Sequence, residues 1–145
     1  MSIYADSSAL VKLYANEDGS AAVRRLDDEI VVAEIARVEV ASALWRKHRT
    51  GTLAAAQVRT VVGWFEADWF GTSSQSARFV AVSASASLLE SAARLVAVHG
   101  LRAYDGVQLA TALRVRDIHA QTQTFAAFDG ELRSAAAAEG FTLLP

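Results

Sequence analysis

The sequence of 145 residues contains no cysteine, so disulfide bonds and zinc sites built from thiolates are excluded. This composition fits a reducing compartment, and we expect a cytoplasmic protein. The amino terminus lacks a basic segment followed by a long apolar run, so we expect no signal peptide. Charged residues interrupt every apolar run well before the ~18 residues that a membrane span requires, so we expect no membrane-spanning helix.

An excess of positive charge is also missing, since the formal net charge is −2 at pH 7. Bulk electrostatics therefore do not favour nucleic-acid binding. The net charge is still compatible with an enzyme that binds nucleic acid through local contacts. The glycine-rich motifs of nucleotide triphosphatases and dinucleotide-binding enzymes are absent, and so is the Gly-x-Ser-x-Gly motif of serine hydrolases. His48, His99 and His119 lack metal-ligand spacing and are interpreted as surface or structural residues.

Hydrophobic residues make up 52% and charged residues 21% of the chain, which is typical of a globular protein and fits one domain spanning residues 1–145. Short apolar runs alternate with helical patterns. This alternation predicts an α/β fold with a mostly parallel sheet and helices on both faces. The predicted strands cover residues 2–5, 30–33, 79–82, 122–128 and 141–144. The predicted helices cover about 7–14, 21–28, 34–48, 53–70, 85–99, 104–116 and 131–139.

Four acidic residues interrupt apolar sequence. Asp6 and Asp129 directly follow predicted strands, Asp105 opens a helix, and Glu39 lies one turn into another helix. A parallel sheet can bring such positions together at the carboxyl ends of its strands. Clustered carboxylates repel one another unless they share a divalent cation, and oxygen ligands suit Mg²⁺ or Mn²⁺. A simpler interpretation stays open, in which Asp6 and Asp105 cap helices and Glu39 is solvated.

Basic residues near these acids are candidates for contact with phosphate groups. The run 46–49, Arg-Lys-His-Arg, ends the helix that carries Glu39, and it either complements the helix dipole or binds phosphate. Arg102 lies close in sequence to Asp105. The candidate phosphate contacts are Lys12, Arg46, Arg49 and Arg102, and each can equally be an ordinary surface charge.

Aromatic residues are concentrated in residues 64–70, at the end of the predicted helix 53–70. The segment reads Trp-Phe-Glu-Ala-Asp-Trp-Phe. A domain of this size has difficulty burying all four rings, so we expect some to join the core and others to face a protein partner.

Four segments resemble PIN-domain proteins, and specifically the VapC toxins of bacterial toxin–antitoxin pairs. They are residues 4–14 (YADSSALVKLY), 38–46 (VEVASALWR), 101–113 (LRAYDGVQLATAL) and 125–132 (FAAFDGEL). An alanine-rich helix and Gly140-Phe141 follow the last segment. The segments occur in the family's order over nearly the whole chain, and residues 101–113 are the most specific.

The resemblance implies a three-layer α/β/α sandwich whose acids gather in one groove and bind Mg²⁺ or Mn²⁺. On this basis Asp6, Glu39, Asp105 and Asp129 are the catalytic and metal-binding residues, with Asp6 and Asp105 the foremost ligands. Ser7 is a supporting hydroxyl. Two residues before its last aspartate the family often has Thr or Ser, and this chain has Ala127 there. Asp129 is therefore the least supported ligand.

The resemblance implies that the protein is a metal-dependent endoribonuclease and acts as the toxin of a VapBC-type pair. Such proteins often cut structured RNA, usually form homodimers, and are silenced by a VapB antitoxin that reaches into the groove. Two alternatives stay open. One is a nuclease or phosphatase acting on DNA or small phosphoesters, and the other is a catalytically silent PIN-fold binding module.

Overall fold

The computed structural model describes residues 1–144. Its strands are β1 (Ser2–Ala5), β2 (Glu29–Ala33), β3 (Phe79–Val82), β4 (Thr124–Ala126) and β5 (Thr142–Leu143). Its helices are α1 (Ser7–Tyr14), α2 (Ser20–Arg24), α3 (Ala36–Arg49), α4 (Ala55–Phe70), α5 (Ala86–His99), α6 (Ala103–Ile118) and α7 (Gly130–Ala138).

The strands form one sheet in the order β3-β2-β1-β4-β5, and every neighbouring pair is parallel. The expected α/β fold with a parallel sheet is therefore confirmed. Tyr4 in the central strand β1 lies opposite Val31 of β2 and Phe125 of β4. This register aligns the carboxyl ends of the three central strands, so the residues that follow β1 and β4 lie at the same edge of the sheet.

The sheet is buried on both faces because its strands are apolar at successive positions. Ile3 and Ile30 point to one face, where they pack in a core with Leu10 of α1, Leu44 of α3 and Phe65 of α4. On the opposite face, Tyr4, Val31 and Phe125 pack in a second core with Leu109 of α6 and Leu132 of α7. The architecture is thus the three-layer α/β/α sandwich that the family resemblance implied.

Helix α6 lies between the sheet and α5. Leu109 and Ala112 are fully buried against the sheet, as the apolar periodicity of residues 101–113 predicted. On its other side α6 packs against Leu88 and Ala92 of α5. Gly106 permits this close approach, because a Cβ atom there would lie 2.5 Å from Val96 Cγ2 and 3.1 Å from the Ala92 carbonyl oxygen.

Some predicted helices and strands begin or end at the wrong residue. Helix α2 ends at Arg24 and not at residue 28, because the chain must turn before it enters β2 at Glu29. Strand β4 covers only residues 124–126, since β1 offers it just three paired positions, Ile3 to Ala5.

In the aromatic segment, Phe65 is fully buried, whereas Trp64 and Phe70 are 59% and 69% exposed. Across residues 1–144, every helix is too short or too polar to cross a bilayer.

Candidate active site

A groove of about 1060 Å³ opens at the carboxyl edge of the central strands. Residues after β1 and β4 line it, together with parts of α1, α3 and the start of α6. All four acids singled out in the sequence are among its lining residues: Asp6, Glu39, Asp105 and Asp129. The fold therefore brings together carboxylates from four separate parts of the chain, and their roles in metal binding and catalysis stay predictions.

Asp6 follows β1 directly and is the N-cap of α1. Its Oδ1 atom accepts hydrogen bonds from the Ala9 amide at 3.0 Å and from the Ser8 hydroxyl at 2.7 Å. Burial of this side chain, with added repulsion from Glu39 and Asp105, raises the pKa of Asp6 from 3.8 to about 7 against the opposing effect of its two hydrogen bonds. Asp6 therefore caps a helix and also lines the acidic groove, and its role as a metal ligand stays a prediction.

The two serines after Asp6 have different partners. The Ser8 hydroxyl donates to Asp6 and accepts from the Phe128 amide at 2.9 Å, which connects the end of β4 to the start of α1. Ser7 Oγ accepts from Gln108 Nε2 at 3.4 Å, and a hydrogen bond from Ser7 lowers the pKa of Glu39. The position of Ser7 beside Glu39 agrees with a supporting hydroxyl.

Glu39 lies in the first turn of α3 and is half-buried, so it is not an ordinary solvated glutamate. Gln108 Nε2 donates to its Oε1 atom at 2.7 Å. Burial raises the pKa of Glu39, and the charge of Asp105 raises it further, although hydrogen bonds from Gln108 and Ser7 act in the opposite direction. Glu39 therefore experiences the charge of a neighbouring carboxylate in the groove.

Asp105 and Asp129 are joined by the guanidinium group of Arg102. Arg102 Nε lies 3.3 Å from Asp105 Oδ2, and its Nη2 atom lies 3.1 Å from Asp129 Oδ2. Burial raises the pKa of Asp105, with a further contribution from the charge of Asp129, while Arg102 lowers it. Asp129 also caps α7 through a bond from the Leu132 amide at 3.1 Å. Ala127 is buried in the core beneath the sheet and does not line the groove.

Lys12 and Lys47 also line the groove, and they share one acid. Lys12 Nζ is 2.9 Å from Glu17 Oε1, and Lys47 Nζ is 2.6 Å from Glu17 Oε2. The Lys12 ammonium also lies 4.4 Å from the centre of the Phe128 ring. Lys12 is buried in these contacts, so it is tied into the fold while it lines the groove.

The remaining candidate phosphate contacts are arginines in three different settings. Arg46 lines the groove and is exposed. Arg102 also lines it but is engaged with two acids. Arg49 is exposed at the end of α3 and is not a lining residue of the groove. Arg46 is therefore the best placed of the three to meet a phosphate group.

The donor chemistry of the groove fits a hard divalent cation, because four of the carboxylates that line it come from the segments after β1 and β4 and from the first turns of α3 and α6. In the conformation of residues 1–144, however, no three carboxylates or imidazoles are arranged as a ready set of metal ligands. Arg102 occupies Oδ2 of both Asp105 and Asp129. Metal binding by these two acids therefore requires that the guanidinium group give way to the ion.

Sequence reasoning missed Gln108, which contacts one of the acids, and Tyr4, which contacts Gln108. Gln108 is 1% exposed and bonds to Glu39, and the Tyr4 hydroxyl donates to Gln108 Oε1 at 2.6 Å. The available signal was a single amide inside an otherwise apolar stretch of α6, which is unusual because a buried polar group needs a partner.

Comparison with known proteins found one matching family and solved structures with a similar fold. The PIN domain family matches residues 3–138. The crystal structure of Mycobacterium tuberculosis VapC20, described as a toxin that cleaves the sarcin–ricin loop, aligns over 97% of this chain and 96% of that chain, with a TM-score of 0.65 and 17% identity. PAE2754 from Pyrobaculum aerophilum aligns over 99% and 90%, with a TM-score of 0.60 and 18% identity. A search of curated proteins found no match. At these identities, the two structures share the fold with this chain.

Proposed function

Since this chain belongs to the PIN-domain family, we propose that it is a metal-dependent endoribonuclease acting as the toxin of a VapBC-type toxin–antitoxin pair. The observation that carries the proposal is the convergence of Asp6, Glu39, Asp105 and Asp129 on a single groove. A buried carboxylate such as Asp6 destabilises a fold when other acids lie near it. A groove that collects Asp6 with three further acids is best explained by a function that uses their charge.

The acids have the chemistry needed to hold Mg²⁺ or Mn²⁺. Asp6 and Asp105 are the foremost ligands in this proposal, Glu39 is the third, and Asp129 acts as a ligand or through its charge alone. A bound ion of this kind supplies charge neutralisation and Lewis-acid polarisation of a phosphodiester. In this proposal the carboxylates hold the metal and help to remove the proton of the attacking water.

Groups around the acids are suited to an RNA strand. Arg46, Lys12 and Lys47 line the groove and offer positive charge to the phosphate backbone. Tyr104 also lines the groove and is exposed, and an exposed aromatic ring is a platform for an unstacked base. An unpaired loop in a structured RNA is therefore the proposed substrate, in line with the activity stated for VapC20.

Two protein partners are part of the proposal. A VapB-type antitoxin would cover the groove, and a second copy of this chain would form a homodimer. The exposed rings of Trp64 and Phe70 on α4 are apolar surface that an additional chain would bury. Large exposed aromatic residues are enriched at protein interfaces.

The test is cleavage of total RNA from a bacterial host by purified protein, with Mg²⁺ or Mn²⁺ and then with EDTA. We expect discrete fragments that require the metal. Asp105→Asn should abolish cleavage while the circular dichroism spectrum stays unchanged, because the amide keeps the shape of the side chain but loses its charge.

A matched control is Asp117→Asn, which makes the same chemical change on the same helix at an exposed residue outside the groove. This variant should cleave like the wild type. Equal cleavage by a folded Asp105→Asn protein would contradict the site assignment. Cleavage of DNA or of small phosphoesters alone would contradict the RNA assignment, and a folded protein without Mn²⁺ affinity would point to a silent binding module.

A further inference from the structure

A chain of polar side chains runs beneath the acidic groove, from the central strand to α3. The Tyr4 hydroxyl of β1 donates to Gln108 Oε1 of α6 at 2.6 Å. Gln108 Nε2 then donates to Glu39 Oε1 at 2.7 Å. Three elements far apart in sequence therefore meet through two short hydrogen bonds that end on one of the candidate metal ligands.

This network is enclosed by the core. Tyr4 is 0% exposed and Gln108 is 1% exposed, and their neighbours Leu109 and Phe125 are apolar. A buried amide is destabilising unless its polar atoms are bonded. Within residues 1–144, no buried side-chain nitrogen or oxygen lacks a hydrogen-bond partner. The network is therefore complete, and a complete buried network holds its members in one arrangement.

The Glu39 carboxylate determines which end of the Gln108 amide faces the groove. A carboxylate only accepts hydrogen bonds, so a reversed amide would place Oε1 against it and two oxygen acceptors would repel. Nε2 therefore points to Glu39 and to Ser7 Oγ, which lies 3.4 Å away, and Oε1 points to the Tyr4 hydroxyl, which donates to it. Tyr4 thus supports Gln108 from behind in the orientation that Glu39 requires.

We propose that Gln108 and Tyr4 are positioning residues that hold the Glu39 carboxylate for a divalent cation. Gln108 holds Oε1, and the second carboxylate oxygen stays available to the ion. This inference rests on the proposed function, because it concerns the same metal site. Its physical basis is that hydrogen-bond partners behind a ligand fix its orientation, and their loss typically lowers metal affinity by about 10- to 100-fold.

Two variants test the inference from opposite ends of the network. Gln108→Met keeps a side chain of similar length but removes both amide contacts. Tyr4→Phe removes one hydroxyl and leaves the buried Oε1 atom of Gln108 without its donor. A matched control is Thr122→Val. Thr122 is fully buried, and its hydroxyl bonds to that of Ser2, the first residue of β1, at the amino ends of the strands and away from the groove.

The measurements are Mn²⁺ titration of each protein by electron paramagnetic resonance and the separate kcat and KM values for RNA cleavage. We expect both network variants to bind Mn²⁺ at least about tenfold more weakly than the wild type. Their kcat should fall while the KM for RNA stays near the wild-type value. Thr122→Val should lower thermal stability but leave Mn²⁺ affinity unchanged.

Wild-type Mn²⁺ affinity and kcat in the folded Gln108→Met or Tyr4→Phe protein would overturn the inference and leave the proposed function standing. An equal loss of Mn²⁺ affinity in Thr122→Val would also overturn it, because the effect would then follow stability alone. A wild-type protein that binds no Mn²⁺ and cleaves no RNA would overturn the proposed function, and this inference would fall with it.

Discussion

Asp6 combines two functions that oppose each other energetically. As the N-cap of α1, its carboxylate accepts a hydrogen bond from the Ala9 amide, which favours the fold. As a buried acid beside Glu39 and Asp105 it resists ionisation, and its pKa is raised to about 7. Below that pH the folded protein keeps a proton on this group, and above it the fold must contain a buried negative charge. A divalent cation in the groove would remove this conflict.

The metal-free protein should therefore lose stability as the pH rises from about 4 to about 7. The folded state binds a proton on Asp6 through this range, whereas the unfolded chain releases it near the ordinary pKa of 3.8, so the free energy of unfolding falls as the pH increases. The full loss is up to about 4 kcal/mol. Asp6→Asn keeps an acceptor for the cap and removes the charge, so at pH 8 we expect it to be more stable than the wild type by roughly 2 kcal/mol or more.

Urea unfolding at several pH values in EDTA would measure this effect. Asp117→Asn, at an exposed residue of α6, is the control and should keep the wild-type pH dependence. If Asp6→Asn showed the same fall in stability with pH as the wild type, the buried charge of Asp6 could not be its source.

Arg102, like Asp6, has two roles in the groove. It neutralises Asp105 and Asp129 in the metal-free groove, and it is also a candidate contact for phosphate. Arg102→Met should raise Mn²⁺ affinity by about two- to fivefold, because a cation that competes for two ligands is removed and exposed ion pairs are weak. The same change should raise the KM for RNA.

Calorimetric titration with Mn²⁺ and steady-state cleavage would measure the two effects of Arg102→Met. Arg49→Met provides the comparison, since Arg49 is exposed but lies outside the groove, and it should alter neither quantity. Unchanged Mn²⁺ affinity in Arg102→Met would mean that the guanidinium group does not compete with the ion.

At the scale of elements, the position of Asp105 depends on how closely α6 approaches α5. Gly106 lies at this contact, next to Asp105 in sequence. A methyl group there would meet Val96 Cγ2 at 2.5 Å and the Ala92 carbonyl oxygen at 3.1 Å. The absence of a side chain at residue 106 therefore sets the distance between the two helices, and with it the placement of the first turn of α6 over the groove.

Gly106→Ala should destabilise the protein by about 1–3 kcal/mol, because forcing a methyl group into a close helix contact moves backbone or side chains. Gly63→Ala is the matched control, since Gly63 lies within α4 with no atom within 4 Å of a Cβ position. It should stabilise the protein by about 0.5–1 kcal/mol through helix propensity alone. Thermal and urea unfolding would compare the two, and equal effects of the same sign would contradict the close contact at Gly106.

At the scale of the whole molecule, α4 has two faces with different environments. Phe65 is buried and packs near Trp69 and Phe79 in the core. Trp64 and Phe70 are exposed, and the Arg37 guanidinium lies 5.2 Å from the centre of the Phe70 ring. This surface of mixed aromatic and basic character matches the composition that protein interfaces favour.

We expect the protein to be a dimer at micromolar concentration and the double variant Trp64→Ser/Phe70→Ser to weaken it by about tenfold or more, since buried aromatic residues dominate interface energies. Sedimentation equilibrium would measure the change. Val98→Ser removes an equally exposed apolar residue from α5 and should leave the dimer intact. A wild-type monomer that captures no partner protein would contradict an interface on α4.

Prediction from the sequence succeeded where the signal was local. The end of α5 at His99 follows from Gly100, which adopts a left-handed conformation with φ of 66°. For the start of α5 the sequence offered two candidate caps, Ser83 and Ser85, and in the structure Ser85 accepts from the Leu88 amide. Prediction was less accurate for β4, whose length depends on the three positions that β1 offers as partners. The length of a strand depends on how many residues of its neighbour can pair with it, and the sequence of the strand alone does not contain that number.

The sequence by itself determined the order of strands and helices, the burial of α6, and the identity of the four acids, because these depend on residue types and on short-range periodicity. Only the tertiary structure decided that Gln108 binds Glu39, that Arg102 joins Asp105 to Asp129, and that Ala127 faces the core. Gln108 and Glu39 are separated by 69 positions in the chain. Their contact arises from the way α3 and α6 meet at the edge of the sheet, and no pattern within either helix contains that information.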